Sequence, residues 1–422
     1  MRVARRRNAL IAVTGVLALL LAACGSSNAS SDVTVTSFVT GSPDSSSSES
    51  PAAPPSSADS SATTSSSSAG ATQSGDGTVQ EGVALPSGFV PKKLQPGEKP
   101  PQFIIVSFDG VGWDEKWQHW FDVGKQVPFK FTGFLSGTYM LSDQTKNAYQ
   151  GPGRDPGDSD ISWNSATDLP VEIKNLNQAI AEGDEIGSHF NGHFCTSDNS
   201  PGGNSWTTAD WNTELSQFFS LIENVKKNNP GVQMDDLKLD PTTIKGERTP
   251  CLEGKAEQLF PALVDNNMTY DSSFTKRGIS WPTQSPQYKI WQFGMAEFPI
   301  NGTGKVQITM DYNFYYTQRQ ASSKDVTPAE SAADSEQVYQ TYNDMFNATW
   351  NGNRAPLVLG NHFNAWNNNA YENALTKFVL EKCGQEGVEC VPFRDVLAWM
   401  SVQDPARLAQ LQAQAPELGT SS

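Results

Sequence analysis

Histidine is scarce in this 422-residue chain: only His119, His189, His193 and His362 are present. Two of them stand four residues apart in His189-Phe190-Asn191-Gly192-His193. On a helix that spacing puts both imidazoles on one face; on a loop after a strand it lets them converge on one divalent metal. Taken alone, it describes two hydrogen-bonded surface histidines equally well. Asp109, His189, Arg248, Asp271 and His362 each come just after a stretch that reads as a β-strand. A carboxylate, imidazoles and a guanidinium are the groups that general acid–base and metal-assisted hydrolysis use. Barrel active sites gather such residues from the ends of several strands. His119, within Trp117-Gln118-His119-Trp120, reads as a packed or hydrogen-bonded helix residue.

The elements that would position these residues alternate. Residues 102–108 are a continuous apolar run of strand length, and residues 138–141 are a second strand candidate. Residues 171–182 have helical periodicity, and Gly183 precedes a short strand at 185–188. A helix over about 208–227 has Thr207 or Thr208 as its cap. Then come strand 242–247, helix 255–266 and strand 268–270. A more β-like portion spans 288–316, before a helix at about 328–347. Strand 356–360, helix 369–382, strand 388–393 and helix 394–402 follow. Strand–helix–strand repetition implies an α/β fold with a mainly parallel sheet covered by helices. An open doubly wound sheet and a barrel both fit the alternation; chemistry at strand ends favours the barrel.

Five strings carry a family resemblance. Asp184-Glu185-Ile186-Gly187-Ser188-His189-Phe190-Asn191-Gly192-His193 resembles the second motif of the polysaccharide deacetylases (NodB-like, carbohydrate esterase family 4). In the family's order, Ser107-Phe108-Asp109-Gly110 resembles the first motif and Gly246-Glu247-Arg248-Thr249-Pro250 the third. Tyr270-Asp271-Ser272-Ser273-Phe274 and Leu359-Gly360-Asn361-His362-Phe363 resemble the fourth and fifth. The stretch from Trp291 to Glu297-Phe298-Pro299 is similar to chitin-deacetylase-like members. The resemblance covers about 100–402 and implies a distorted (β/α) barrel with about seven parallel strands. It implies hydrolysis of acetyl groups on a polysaccharide (peptidoglycan, chitin-like or another N-acetylated glycan) with a divalent metal, usually zinc. By motif, His189 and His193 would be metal ligands and Asp109 the base, oriented by Arg248. His362 would be the acid, with Asp271 stabilising its protonated form. Trp366, four residues after His362, either stacks on a sugar ring or packs in the core.

The chain departs from the family at one position. The first motif normally carries two adjacent Asp residues, base then metal ligand; here the second is Gly110. Loss of an anionic ligand weakens a divalent site. Three readings stay open. Asp109 moves to the metal while Asp114 or Glu115 supplies the base; water or substrate fills the third position; or the protein binds glycan without catalysis. O-acetyl esterase action would use the same residues. Met310-Asp311-Tyr312-Asn313 takes no role, and Gly151-Pro152-Gly153-Arg154 marks a loop bordering either the groove or plain surface.

Cys195 follows the second motif and Cys251 the third, so convergence of those motifs would bring them together. Cys383 and Cys390 flank a short turn. Disulfides Cys195–Cys251 and Cys383–Cys390 are the expected pairing in an exported domain.

Export is read from the N-terminus. Arg2, Arg5, Arg6 and Arg7 precede an apolar stretch over 9–23, then Leu21-Ala22-Ala23-Cys24. This is a signal-peptide pattern. Its end resembles a bacterial lipobox, which implies lipidation of Cys24 and a membrane anchor on the extracytoplasmic face. Arg6-Arg7 also resembles a twin-arginine signal, so the export route stays open. Residues 24–100 read as a disordered tether, Ser-rich to about 80 and Pro- and Lys-containing beyond. The Ser-rich part, at ~60 residues, reaches roughly 45 Å. One deacetylase-like domain, 101–402, follows, and 403–422 read as a loose tail. Removing residues 1–23 takes away four arginines and no acid, moving the net charge from −16 to −20. So acidic a chain lacks the basic footprint of nucleic-acid binding.

Overall fold

The computed structural model describes residues 79–197 and 200–419. The signal over 1–23, the lipidation site Cys24 and the tether up to residue 78 lie outside the described residues.

Along the chain the strands are β1 (Gln102–Asp109), β2 (Thr132–Leu135), β3 (Glu185–Ser188), β4 (Gly246–Glu247), β5 (Tyr270–Asp271), β6 (Thr275–Arg277), β7 (Thr283–Gln284), β8 (Trp291–Gln292), β9 (Met295–Pro299), β10 (Val306–Ile308), β11 (Leu357–His362) and β12 (Val388–Cys390). The helices are α1 (Asp114–Gly124), α2 (Leu169–Glu182), α3 (Thr208–Glu223), α4 (Val225–Asn228), α5 (Ala256–Asp265), α6 (Asp311–Arg319), α7 (Pro328–Asn351), α8 (Trp366–Lys382), α9 (Phe393–Ser401) and α10 (Pro405–Gln412).

The main sheet runs β11-β1-β2-β3-β4-β5-β8-β7, with β12 also pairing β1. Eight of its strands are parallel, and only β7 is antiparallel. β1 is buried at every position, because a parallel strand is covered on both faces and its Phe-Ile-Ile-Val run is suited to that. The sheet curls into an open barrel. Between β8 and β11 a second sheet, β10-β9-β6, stands in the gap, and Met295 of β9 reaches Gly360 of β11.

The barrel interior is filled in layers. Phe393, at the start of α9, packs on Phe134, Tyr270 and Phe293 with ring centroids 5.8, 5.1 and 5.0 Å away. Above this plug the Arg248 guanidinium lies 4.7 Å over the Phe134 ring. The polar ends of the strands stand above that.

Three expectations change. Residues 138–141 are not a strand: Gly137–Met140 form a 3-10 turn, and the strand is Thr132–Leu135 just before it. The domain starts earlier than residue 101. Residues 79–100 pack against it: Phe89 meets Phe103 at 5.9 Å, Ser87 bonds Asp395, and Leu94 N–H donates to Gln403 at 3.0 Å. The tail from 403 is also packed. Asp404 caps α10, and Glu417 exchanges two 2.9 Å backbone hydrogen bonds with Ile279. Both segments are polar in composition, but each has backbone donors and a few apolar side chains that the barrel's outer surface satisfies.

Candidate active site

Register decides which motif residues meet. In parallel strands, directly paired residues share a face and neighbours alternate. Asp109 pairs with His362 and with Phe134, so all three stand on the interior side at adjacent strand ends. Arg248, just past β4, joins them. Its Nη1 donates to Asp109 Oδ1 at 2.8 Å, its Nε to the Ser272 carbonyl at 3.0 Å, and its Nη2 to Ser272 Oγ at 2.9 Å. Arg248 is completely buried and Asp109 nearly so. Burial alone would raise the Asp109 pKa, but Arg248, with His189 and His362 nearby, outweighs it and holds the carboxyl below its usual range.

Asp271 is not the partner of His362. It pairs in register with Glu247, and the two carboxyls hydrogen-bond each other on the side of the sheet opposite Arg248 and Ser272. Ser273 N–H also donates to Asp271 Oδ1 at 3.0 Å. Burial drives both pKa values up, and the pair faces away from Asp109, Arg248 and His362. The period of two in β5 sends Asp271 outward and the next residue, Ser272, inward.

The carboxylate at His362 is Asp311, at the start of α6. His362 Nδ1 donates to Asp311 Oδ1 at 2.7 Å, and the His362 and Asn364 N–H groups donate to Asp311 Oδ2, each at 2.8 Å. Burial would lower the His362 pKa, but Asp311, helped by Asp109, more than reverses this. The imidazole is thus favoured in its charged form, with Nε2 directed away from Asp311. The sequence singles out Met310-Asp311-Tyr312-Asn313 without giving it a role, in a portion that reads as β-like. An acid opening a helix was the available signal.

His189 and His193 stand on the opposite side, with ring centroids 5.1 Å apart. His189 Nδ1 donates to the Arg248 carbonyl at 2.7 Å, which fixes the tautomer and leaves a lone pair on Nε2. That Nε2 is buried without a protein partner. Burial, then neighbouring imidazoles, push the His193 pKa down to about 3, and burial lowers that of His189 too. Both shifts favour the neutral imidazole, the form that ligates metal. A buried network holds the loop between them. Tyr149 Oη donates to Glu214 at 2.7 Å, Asn191 Nδ2 donates to Glu214 at 2.8 Å, and Gly192 N–H donates to Tyr149 Oη at 3.2 Å. The Gly151–Arg154 loop borders this region, with Arg154 4.2 Å over the Phe194 ring.

Gly110 has φ +64°. A Cβ there would meet Tyr139 Oη at 3.6 Å and Ser136 Oγ at 3.9 Å, which is ordinary contact. Space does not exclude a side chain; the left-handed backbone favours glycine. Ser136 Oγ is buried without a protein partner, and Ser136 lies next to His189 by register, since His189 N–H donates to the Leu135 carbonyl at 2.8 Å. The orphaned His189 Nε2 and the His193 ring 5.1 Å away suit a divalent cation, with hydroxyls rather than a second carboxylate nearby. Asp114 and Glu115 do not supply the base. Asp114 accepts from Asn175 at 2.8 Å on the α2 side, and Glu115 is exposed.

Trp366 stacks on Tyr315 at 5.6 Å and lies 5.2 Å from the His362 ring, so it is a half-buried rim residue that packs and also faces the cleft. His119 bonds Thr376 at 2.8 Å between α1 and α8, away from the cleft. The cysteines pair as Cys195–Cys251 and Cys383–Cys390.

No protein-family model and no curated protein matches the chain. Solved structures do. A protein of Mycobacterium smegmatis described as a candidate polysaccharide deacetylase is 13% identical, covering 78% of this chain and 98% of its own, with a TM-score of 0.45. The chitin deacetylase of the fungal pathogen Colletotrichum lindemuthianum is 11% identical, covering 77% and 93%, with a TM-score of 0.36. A family 4 carbohydrate esterase of Streptomyces lividans, solved with acetate, is 12% identical, covering 69% and 92%, with a TM-score of 0.34. Likeness this distant leaves the chemistry to be read from the cleft itself.

Proposed function

We propose that this chain is an exported, lipid-anchored carbohydrate deacetylase that removes acetyl groups from an N-acetylated glycan by metal-assisted hydrolysis. One observation carries the reading. Two imidazoles, one with an orphaned buried Nε2, stand with the Arg248-paired Asp109 carboxyl and the Asp311-paired His362 at the same end of the sheet, past β3, β1 and β11. His189 and His193 would hold the cation, usually zinc in the family the motifs resemble. The chemistry such a cation would supply there is polarisation of the acetyl carbonyl and acidification of the attacking water. Asp109, kept ionised by Arg248, takes the proton from the attacking water. His362, kept charged by Asp311, gives its proton to the departing amine. Trp366 on the rim offers an apolar ring face to a sugar.

Acetate release from N-acetylglucosamine polymers and peptidoglycan, with and without added zinc or cobalt, tests the reading. Release should require cation and disappear in His362→Ala. The absence of an anionic side chain at Gly110 favours one second reading, a glycan binder without catalysis; binding with no release on any glycan would support it. O-acetylated xylan in the same assay separates ester from amide action. Anchoring is tested by fatty-acid labelling, which should vanish in Cys24→Ser.

A further inference from the structure

The two disulfides sit in different surroundings. Cys383 and Cys390 are each 4% exposed and close a short loop. Cys195 and Cys251 are only partly buried and join the loop after β3 to the turn after β4, 56 residues apart in sequence. Their bond also lies against an imidazole: Cys195 Sγ is 3.9 Å from His193 Nδ1. A His193 ring nitrogen and both sulfurs fall within 4.8 Å of one another. Disulfide sulfurs are uncharged and poor ligands, whereas two thiolates and a neutral imidazole form a donor set for a soft or borderline divalent cation.

We propose that reduction of Cys195–Cys251 opens a redox-gated site for a divalent cation such as zinc, held by Cys195 Sγ, Cys251 Sγ and the His193 imidazole. A dithiol reductant supplies the two electrons. Its thiolate attacks one sulfur to give a mixed disulfide, and its second thiol closes the reductant's own disulfide. Cys195 and Cys251 are left as thiols. Binding of the cation then releases their two protons to solvent. The captured cation would draw on His193, one of the two imidazoles assigned to the cation of the proposed function, so the two sites would share a ligand. This holds whether or not the cleft is a deacetylase.

Cobalt spectroscopy on the full chain tests it. Metal-free protein, oxidised or reduced without air by a phosphine, receives one equivalent of Co2+. A thiolate-to-cobalt charge-transfer band should appear only in the reduced sample. It should be lost in Cys195→Ser and Cys251→Ser and weakened in His193→Ala. It should persist in His189→Ala and in the Cys383→Ser/Cys390→Ser double variant, with circular dichroism checking the fold of each. Free thiols at 195 and 251 without the band would overturn the proposal. So would a bond that resists the reductant in the folded protein, or a band that survives Cys195→Ser and Cys251→Ser.

Discussion

On the Asp109 side of the cleft every charge has a partner. Arg248 grips Asp109 and Ser272, while Asp311 takes three hydrogen bonds from His362 and Asn364. On the His189 side polar atoms are left over. His189 Nε2 and Ser136 Oγ are buried without protein partners, and Gly110 offers no side chain. Buried polar groups are normally satisfied, so a lone pair left over beside a second imidazole is the feature that suits a cation under the proposed function. The Asp109 side is complete within the chain; the His189 side leaves polar atoms unpaired and has no carboxylate at Gly110.

Breaking the complete side should have the largest effect. Asp109→Asn removes the base and should lower acetate release by about 10²–10⁴-fold, read from initial rates. Arg248→Met leaves Asp109 buried and unpaired. It should cost about 3–5 kcal/mol of stability by chemical denaturation, besides activity.

Sharpening the lean side comes next. Gly110→Asp adds an anionic ligand, though φ +64° costs it roughly 1–2 kcal/mol. Outer-shell partners alone are worth about 10–100-fold in metal affinity, so a direct ligand should tighten zinc at least that much by calorimetry.

Asp311→Asn should act through pH. The wild-type His362 pKa is raised, so activity should fall as pH climbs through that raised value. Losing Asp311 should move this basic limb to lower pH, with release above it dropping about tenfold per unit moved. Asp271→Asn should leave the limb in place.

The smallest effect lies outside the cleft. Burial raises the carboxyl pKa of Glu172 to about 8 and those of Asp184 and Glu214 to about 7. The folded state keeps protons that the unfolded chain, with ordinary carboxyls, releases. Stability should therefore decline from about pH 4.5 to 8. Urea midpoints at both ends of that window check it, and Glu214→Gln should flatten the slope.

Much of this is legible in the sequence. The apolar run of β1, the periodicity of α2 and the strand before His189 carry their structure locally. The ends of β1, β3, β4 and β11 bring Asp109, His189, His193, Arg248 and His362 together. What was not legible depended on register and distance. Asp271 and Ser272 are neighbours whose faces differ only by the phase of a two-residue strand. Asp311 meets His362 across 51 residues through a helix start that local pattern did not reveal. The docked segment 79–100 looked like tether because its composition is polar, yet Phe89 and Leu94 anchor it to the core.

The central claim is that His189 and His193 hold a cation opposite a working acid and base. Calorimetric zinc titration of the oxidised wild type against His189→Ala tests it most directly. The account predicts one equivalent bound in the wild type and loss of that binding in the variant. Equal binding in both, or none in the wild type, would contradict it.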